Sequence, residues 1–190
     1  MPKIEVIIGS TRPKRIGRQI AEWVLSVIPA TDGLEVELVD LANFPLPNDE
    51  PGVPAHHEYV HEHTKAWSKE IAGGDGYVFV TPQYNWGYPA SLKNAIDHLY
   101  KEWLEKPAAI VSYGHRGGGK AAGQLRQVLE GLHMHPVPTM PAIVFHNDML
   151  DENGRLRNPA RDFANYAETI KTAVGELAAQ LTKRDQFARE

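Results

Sequence analysis

Short runs rich in Val, Ile and Phe alternate along the chain with stretches in which apolar residues recur every three or four positions. The runs Ile4–Ile8, Leu34–Val39, Tyr77–Thr81, Ala108–Ser112 and Ala142–Phe145 read as strands. Several are nearly continuous in apolar residues, which is the pattern of parallel strands covered on both faces. Between them, Ile16, Ile20, Trp23, Val24, Val27 and Ile28 share one helical face. Val60, Thr64, Trp67 and Ile71 share another, followed by Leu92, Ile96, Leu99 and Trp103. Leu125, Val128, Leu129 and Leu132 make a fourth stripe, and Phe163, Tyr166, Ile170, Val174, Leu177 and Leu181 a fifth. Each stripe is the core side of an amphipathic helix. Strand and helix alternating five times predicts right-handed crossovers and an α/β three-layer sandwich, with helices on both faces of a parallel sheet.

Five strands suit the flavodoxin-like order 2-1-3-4-5 better than the longer dinucleotide-binding order. No repeat, low-complexity tract or linker divides the 190 residues, so one domain over 1–190 is expected. The Pro-rich stretch Phe44–Pro54 reads as a loop within it, and the charged Lys183–Glu190 as the solvated end of the last helix.

Composition narrows the function. Twenty Lys and Arg against 24 Asp and Glu give a net charge of -4, which offers no electrostatic case for a nucleic-acid or membrane partner. With no cysteine, disulfides, thiolate catalysis and cysteine-ligated metals are excluded, which fits a reducing cytoplasm. No apolar run approaches a membrane span, and Met1-Pro2-Lys3 leads into a strand rather than a signal peptide. A soluble cytoplasmic protein is expected.

In a sheet of this kind the ligand lies beyond the carboxyl ends of the strands, near the point where strand order reverses. That selects three loops, Gly9–Gly17, Pro82–Pro89 and Tyr113–Gly119. The first carries Ser10, Thr11, Arg12, Lys14 and Arg15, has no carboxylate, and runs straight into a helix whose free amides suit a phosphate. A solvated basic turn is the competing reading. The second places Tyr84, Trp86 and Tyr88 beside Gln83 and Asn85, a set suited to stacking a flat polar ring and bonding its edge. Aromatics that merely cover the sheet end would look the same. The third, Gly114-His115-Arg116-Gly117-Gly118-Gly119, lets backbone approach a ligand closely, or is simply a flexible turn.

Three other motifs compete with this assignment. Gly114 to Lys120 spells G-x-x-x-x-G-K, but Ala121 stands where a P-loop needs a hydroxyl for its metal. His57-Glu58-Tyr59-Val60-His61 matches H-E-x-x-H, without a third ligand at zincin spacing and at the start of a surface helix. The glycine run with Gly123 loosely matches a dinucleotide fingerprint, but it follows the fourth strand, and no acidic residue ends the next one.

Together the three loops resemble the NADPH-dependent FMN reductase family of flavodoxin-like quinone and flavin reductases. The matching residues are Gly9-Ser10-Thr11-Arg12 with Arg15-Ile16-Gly17, Thr81-Pro82-Gln83-Tyr84-Asn85 with Pro89, Leu92-Lys93-Asn94-Ala95-Ile96-Asp97, and Ser112-Tyr113-Gly114 with Gly117-Gly118. The resemblance spans about the first three quarters of the chain, in order and on the expected elements. It implies that Ser10, Arg12 and the amides near Arg15, Ile16 and Gly17 hold the FMN phosphate. Pro82, Gln83, Tyr84, Asn85 and Trp86 would line the ring and ribityl chain, and Ser112, Gly114, Gly117 and Gly118 its pyrimidine edge. Gln83 stands where many members carry Glu, and His115-Arg116 are bulkier than the usual small residues.

The resemblance further implies NADPH or NADH as hydride donor, a quinone or flavin as acceptor, a ping-pong cycle, and assembly as a homodimer or homotetramer. No metal and no catalytic side chain is expected, since a flavin carries the chemistry. A flavodoxin-type electron carrier or flavin-dependent sensor without nicotinamide turnover is the alternative. The basic first loop and the modest net charge favour the enzyme.

Overall fold

The computed structural model describes residues 1–29, 33–48 and 58–187, with side chains as far as residue 183. Four parallel strands form its spine: β1 (Lys3–Ile8), β2 (Glu35–Asp40), β3 (Gly76–Pro82) and β4 (Pro107–Gly114). They lie in the order β2-β1-β3-β4, and the free edge of β4 carries two short strands, β5 (His135–Pro136) and β6 (Ala142–Val144). The sheet therefore has the order 2-1-3-4-5, with its fifth position divided. Strands β3 and β4 are buried almost throughout, while the edge strand β2 alternates exposed Glu35 and Glu37 with half-buried Val36 and Leu38. Continuous and alternating apolar patterns thus mark central and edge strands respectively.

The division of the fifth strand has a local cause. Pro136, Pro138 and Pro141 lack the N–H that a strand ladder needs. Val137 N–H donates to Ala108 (2.8 Å) and Ser112 N–H to the Pro141 carbonyl (2.9 Å), and the chain bulges away between them. Glu176 on the last helix catches the bulge, accepting from Thr139 N–H at 3.1 Å and Oγ1 at 2.7 Å. The expected run Ala142–Phe145 covers only the second half of this strand.

Helices α1 (Gly17–Val27), α2 (Glu62–Ala72), α3 (Ala90–Asp97), α4 (Gly119–Gly131), α5 (Pro159–Asp162) and α6 (Ala167–Phe187) complete the chain. On one face of the sheet, Ile20, Trp23 and Val24 of α1 and Ile170, Val174 and Leu177 of α6 pack on Ile4, Val6 and Ile8. On the other, Trp67 and Ile71 of α2, Leu92 and Ile96 of α3, and Leu125 and Leu129 of α4 pack against Ile7, Phe79 and Ile110. Burying one such side chain contributes about 1.5–3 kcal/mol.

The stripes run past their helices, by one residue at α1 and α4 and further elsewhere, Phe163 and Tyr166 lying ahead of α6. Val60 lies ahead of α2 and is 74% exposed. The stripe of α3 continues through Leu99 and Trp103, yet the helix stops at Asp97 and both residues are buried from the turns beyond it. The indole N–H groups of Trp67 and Trp103 take the carbonyls of Ala95 (2.8 Å) and Ile96 (3.1 Å), which a longer helix would have used itself. Of the H-E-x-x-H match, His57 lies outside the described residues; His61 is exposed, just before α2, and stacks on His63. Residues 49–54 of the Pro-rich loop and 188–190 of the tail also lie outside the described residues.

Candidate active site

All strands run the same way, so the loops after β1, β3 and β4 emerge together and enclose a cleft of about 840 Å³. Gly9 makes the exit from β1. Its N–H donates to Val80 at 3.0 Å, and an added Cβ would lie 3.0 Å from Leu92 Cδ2. Ser10 is buried, and its hydroxyl shares a 2.8 Å hydrogen bond with the Tyr84 hydroxyl. The guanidinium carbon of Arg12 sits 3.6 Å from the centre of the Tyr84 ring, a stacked cation–π contact that ties the first loop to the second.

Arg15 is held differently. Its Nη2 donates to Asp40 Oδ2 at 2.6 Å and its Nη1 to the Arg12 carbonyl at 3.1 Å. Asp40, at the carboxyl end of β2, also receives Arg18 at 3.3 Å and Ala42 N–H at 3.0 Å. Arg15 therefore shapes the loop, and Asp40 divides its charge between Arg15 and Arg18. The sequence reading did not single out Asp40.

Helix α1 starts at Gly17 with no side-chain cap and no acidic residue in its first turn. Its leading amides lack intrahelical partners and form the positive end of the helix dipole. At the same point, an added Cβ on Gly17 would lie 2.4 Å from the Tyr113 hydroxyl. That hydroxyl is buried and has no hydrogen-bond partner, and so is Arg15 Nε. Burial pushes the Tyr113 phenol well above its usual range, so it keeps its proton and can donate. Tyr113, Arg15 and Ile16 all line the cleft. A polar group left unpaired in the interior costs about 1–3 kcal/mol unless something meets it. Tyr113 escaped the sequence reading as a site residue; the available signal was a phenol at the carboxyl end of a central strand, beside the helix start.

In the second loop, Tyr84 N–H donates to Gly87 (2.8 Å) and Gly87 N–H to Tyr84 (3.0 Å), closing a two-residue turn. Both central residues are left-handed, Asn85 at φ 48° and Trp86 at φ 73°. Such a turn suits Asn but strains Trp, and Trp86 is nonetheless 62% exposed. Pro82, Gln83 and Tyr84 line the cleft, whereas Asn85 and Trp86 are not among its lining residues. Gln83 has a further duty, its Oε1 accepting from the amides of Lys120 (3.1 Å) and Ala121 (3.2 Å). It thus caps α4, whose own cap position is Gly118.

The third loop contributes Gly114 and His115 to the cleft. Ser112, Gly117 and Gly118 lie buried behind it. Ser112 Oγ donates to the Gly117 carbonyl at 3.1 Å, pinning the loop to β4. Gly118 has φ 86°, and a Cβ there would sit 3.0 Å from Tyr113 N, so this glycine serves the packing of the loop itself. A fourth wall, absent from the sequence reading, comes from Phe145, Leu150 and Gly154. His115 packs against Phe145 with ring centres 4.3 Å apart and the planes tilted by 38°. The hairpin around Gly154 is tied to α1 by paired bonds between Gln19 and Leu156, at 2.9 and 3.0 Å. No regular motif marks this segment.

The cleft therefore has a donor-rich end, made by the start of α1 and the Tyr113 hydroxyl. Flat and apolar walls lead away from it. An anionic head with a planar body matches that shape.

Comparison with known proteins agrees. A family model described as NADPH-dependent FMN reductase matches residues 2–148. An NAD(P)H-dependent FMN reductase of Schizosaccharomyces pombe is 49% identical over 180 residues, covering 93% of this chain and 89% of that protein. A quinone reductase of Pseudomonas putida is 31% identical over 169 residues, covering 84% and 87%. Among solved structures, the flavoenzyme NAD(P)H:(acceptor) oxidoreductase FerB of Paracoccus denitrificans superposes with a TM-score of 0.66 at 22% identity, over 93% of this chain and 98% of that one.

Proposed function

The chain belongs to the NADPH-dependent FMN reductase family, and from that premise we propose that it passes a hydride from NAD(P)H, through FMN held in the cleft, to a quinone-class acceptor. The net reaction converts NAD(P)H, a proton and a quinone into NAD(P)⁺ and the hydroquinone. The observation that carries the reading is the buried Tyr113 hydroxyl, unpartnered beside the uncapped start of α1. A phosphate there would accept from Tyr113, from Arg15 Nε and from the amides of Ile16 and Gly17, satisfying groups that the protein leaves open.

FMN, when bound, supplies the two-electron chemistry, so the protein needs no nucleophile or metal. Ser10 fixes Tyr84 through its hydroxyl, and Arg12 presses on the Tyr84 ring, which together set one wall for a flat ligand. Gln83 and Gly114 line the cleft next to each other, where an amide and a backbone edge could bond a heterocycle. Asn85 and Trp86 form the turn that follows Tyr84. Ser112, Gly117 and Gly118 hold this edge in place from behind. The reading extends to a cytoplasmic location and to a homodimer or homotetramer; light scattering after size exclusion tests the latter.

The decisive experiment substitutes Tyr113→Phe and titrates FMN and riboflavin into flavin-free protein. FMN should weaken about tenfold, since one hydrogen bond to a charged group is removed. Riboflavin, lacking the phosphate, should bind parent and variant alike. The flavin-free variant should melt no lower than the parent, because the hydroxyl has no partner to lose. Equal affinity of the parent for FMN and riboflavin would refute the assignment.

A further inference from the structure

A second pocket of about 450 Å³ opens beside the cleft, lined by Gln83, Trp86, Arg116, Gly119 and Lys120. Gln83 borders both cavities, which places them side by side. No carboxylate lines the second pocket, and neither Arg116 nor Lys120 forms an ion pair among the described residues. Lys120 Nζ instead lies 5.2 Å from the centre of the Trp86 ring. The Trp86 carbonyl accepts from Gln124 at 3.3 Å, which helps keep this exposed indole in its strained backbone conformation. Backbone strain at a solvent-facing aromatic persists where the surroundings enforce it, and such places cluster at ligand sites. The amides of Lys120 and Ala121 at the start of α4 are already taken by Gln83, so the pocket's attraction for anions comes chiefly from the two cationic side chains.

We propose that this pocket receives the phosphate-bearing adenosine half of the nicotinamide dinucleotide, with Arg116 and Lys120 on its phosphates and Trp86 against a flat face. An aromatic plate flanked by two unpaired cations suits a ligand that is both flat and anionic, and a neutral quinone has no charge for it to meet. The phosphate could be the pyrophosphate, common to NADH and NADPH, or the 2′-phosphate that only NADPH carries. This inference rests on the reductase reading and adds a binding subsite to it.

The test uses the double variant Arg116→Gln/Lys120→Gln. Adenosine 2′,5′-bisphosphate is titrated into parent and variant while tryptophan fluorescence is followed. Trp86 is the exposed one of four tryptophans, the other three being buried, so quenching reports this pocket. Affinity should fall at least about tenfold in the variant, and KM for NADPH should rise to match. KM for a neutral benzoquinone and the bound flavin's absorbance should stay put. An equal rise in KM for NADH and NADPH assigns the cations to the pyrophosphate, and a rise for NADPH alone assigns them to the 2′-phosphate. Unchanged bisphosphate affinity and unchanged KM for both nucleotides would overturn the proposal, as would a shift in the quinone's KM instead. Parent protein that reduces its flavin with neither nucleotide would defeat the reductase reading itself, and the fluorescence titration would still report on the pocket.

Discussion

Two helices begin beside the same cleft, and they begin in opposite ways. At α1 the first turn has no cap, the loop before it is basic, and a buried hydroxyl waits without a partner. At α4 the loop is rich in glycine and looks like a phosphate cradle, but Gln83 already accepts the first amides, and the residue after Lys120 is the buried Ala121. A glycine run shows only that backbone can come close to something. Here Gly118 comes close to Tyr113 N of the chain itself. Donors left unsatisfied by the fold, as at α1, are the stronger indication of an anion site.

The largest expected effect comes from the far end of the sheet, and it keeps fold stability apart from ligand binding in that comparison. Glu5, on β1, is fully buried; neither carboxylate oxygen has a hydrogen-bond partner, though Lys3 Nζ lies 3.3 Å away. Burial pushes its pKa up to about 7. Because the folded value exceeds that of the unfolded chain, the protonated form favours folding. Stability is therefore full below about pH 4.5 and falls as pH rises through 7, by about 3 kcal/mol. Glu5→Gln should melt like the parent at pH 4.5 and be more stable by up to that amount at pH 8. Its preference for FMN over riboflavin should not change. Parallel melting curves at both pH values would remove Glu5 as the source of pH sensitivity, and a change in flavin preference would couple the two ends of the sheet.

A direct comparison places the same methyl group at each helix start. Gly17→Ala forces a Cβ against the Tyr113 hydroxyl, whereas Gly119→Ala meets nothing within 4 Å. Overpacking of this kind costs about 1–3 kcal/mol, so Gly17→Ala should weaken FMN by about tenfold to a hundredfold. Gly119→Ala should leave FMN affinity unchanged and hold or slightly raise the melting temperature. If the two variants lose FMN equally, the contrast between the helix starts is wrong.

Much of this contrast was legible beforehand, though not its cause. The central strands announce themselves because both faces are buried, and once they are ordered the carboxyl-end loops follow. The fifth strand was half visible because its prolines break the ladder. The stripe of α3 ran too far because Leu99 and Trp103 reach the core from turns. Ser10, Arg12 and Tyr84 stood out as polar or aromatic residues in a loop. Tyr113 was marked only as the first residue of the third loop and Asp40, one position past the second expected strand, not at all, since neither polar tip has a position until the chain is folded. The wall from Phe145 to Gly154 has no periodicity to find, and only tertiary packing against Gln19 brings it to the cleft.

The smallest expected effect tests the capped helix. If Gln83 serves α4 as its cap, then Gln83→Ala strips two amides of their acceptor and should cost about 1 kcal/mol, within the range of lost N-terminal caps. Gln83→Glu keeps an acceptor at the same reach and adds a negative charge at the positive end of the helix, worth about 0.3–1 kcal/mol in the stabilising direction. Thermal melts should therefore rank Glu at or above Gln, and Gln above Ala, with the advantage of Glu shrinking in high salt. Because the cap sits at α4 and the phosphate site at α1, the ratio of FMN to riboflavin affinity should be the same in all three proteins. The added carboxylate also borders the pocket of Arg116 and Lys120, so Gln83→Glu should raise KM for NADPH modestly while Gln83→Ala leaves it near the parent's value. A ranking with Ala highest would show that Gln83 is not a cap. A changed FMN to riboflavin ratio would show that the phosphate site depends on α4 as well as α1.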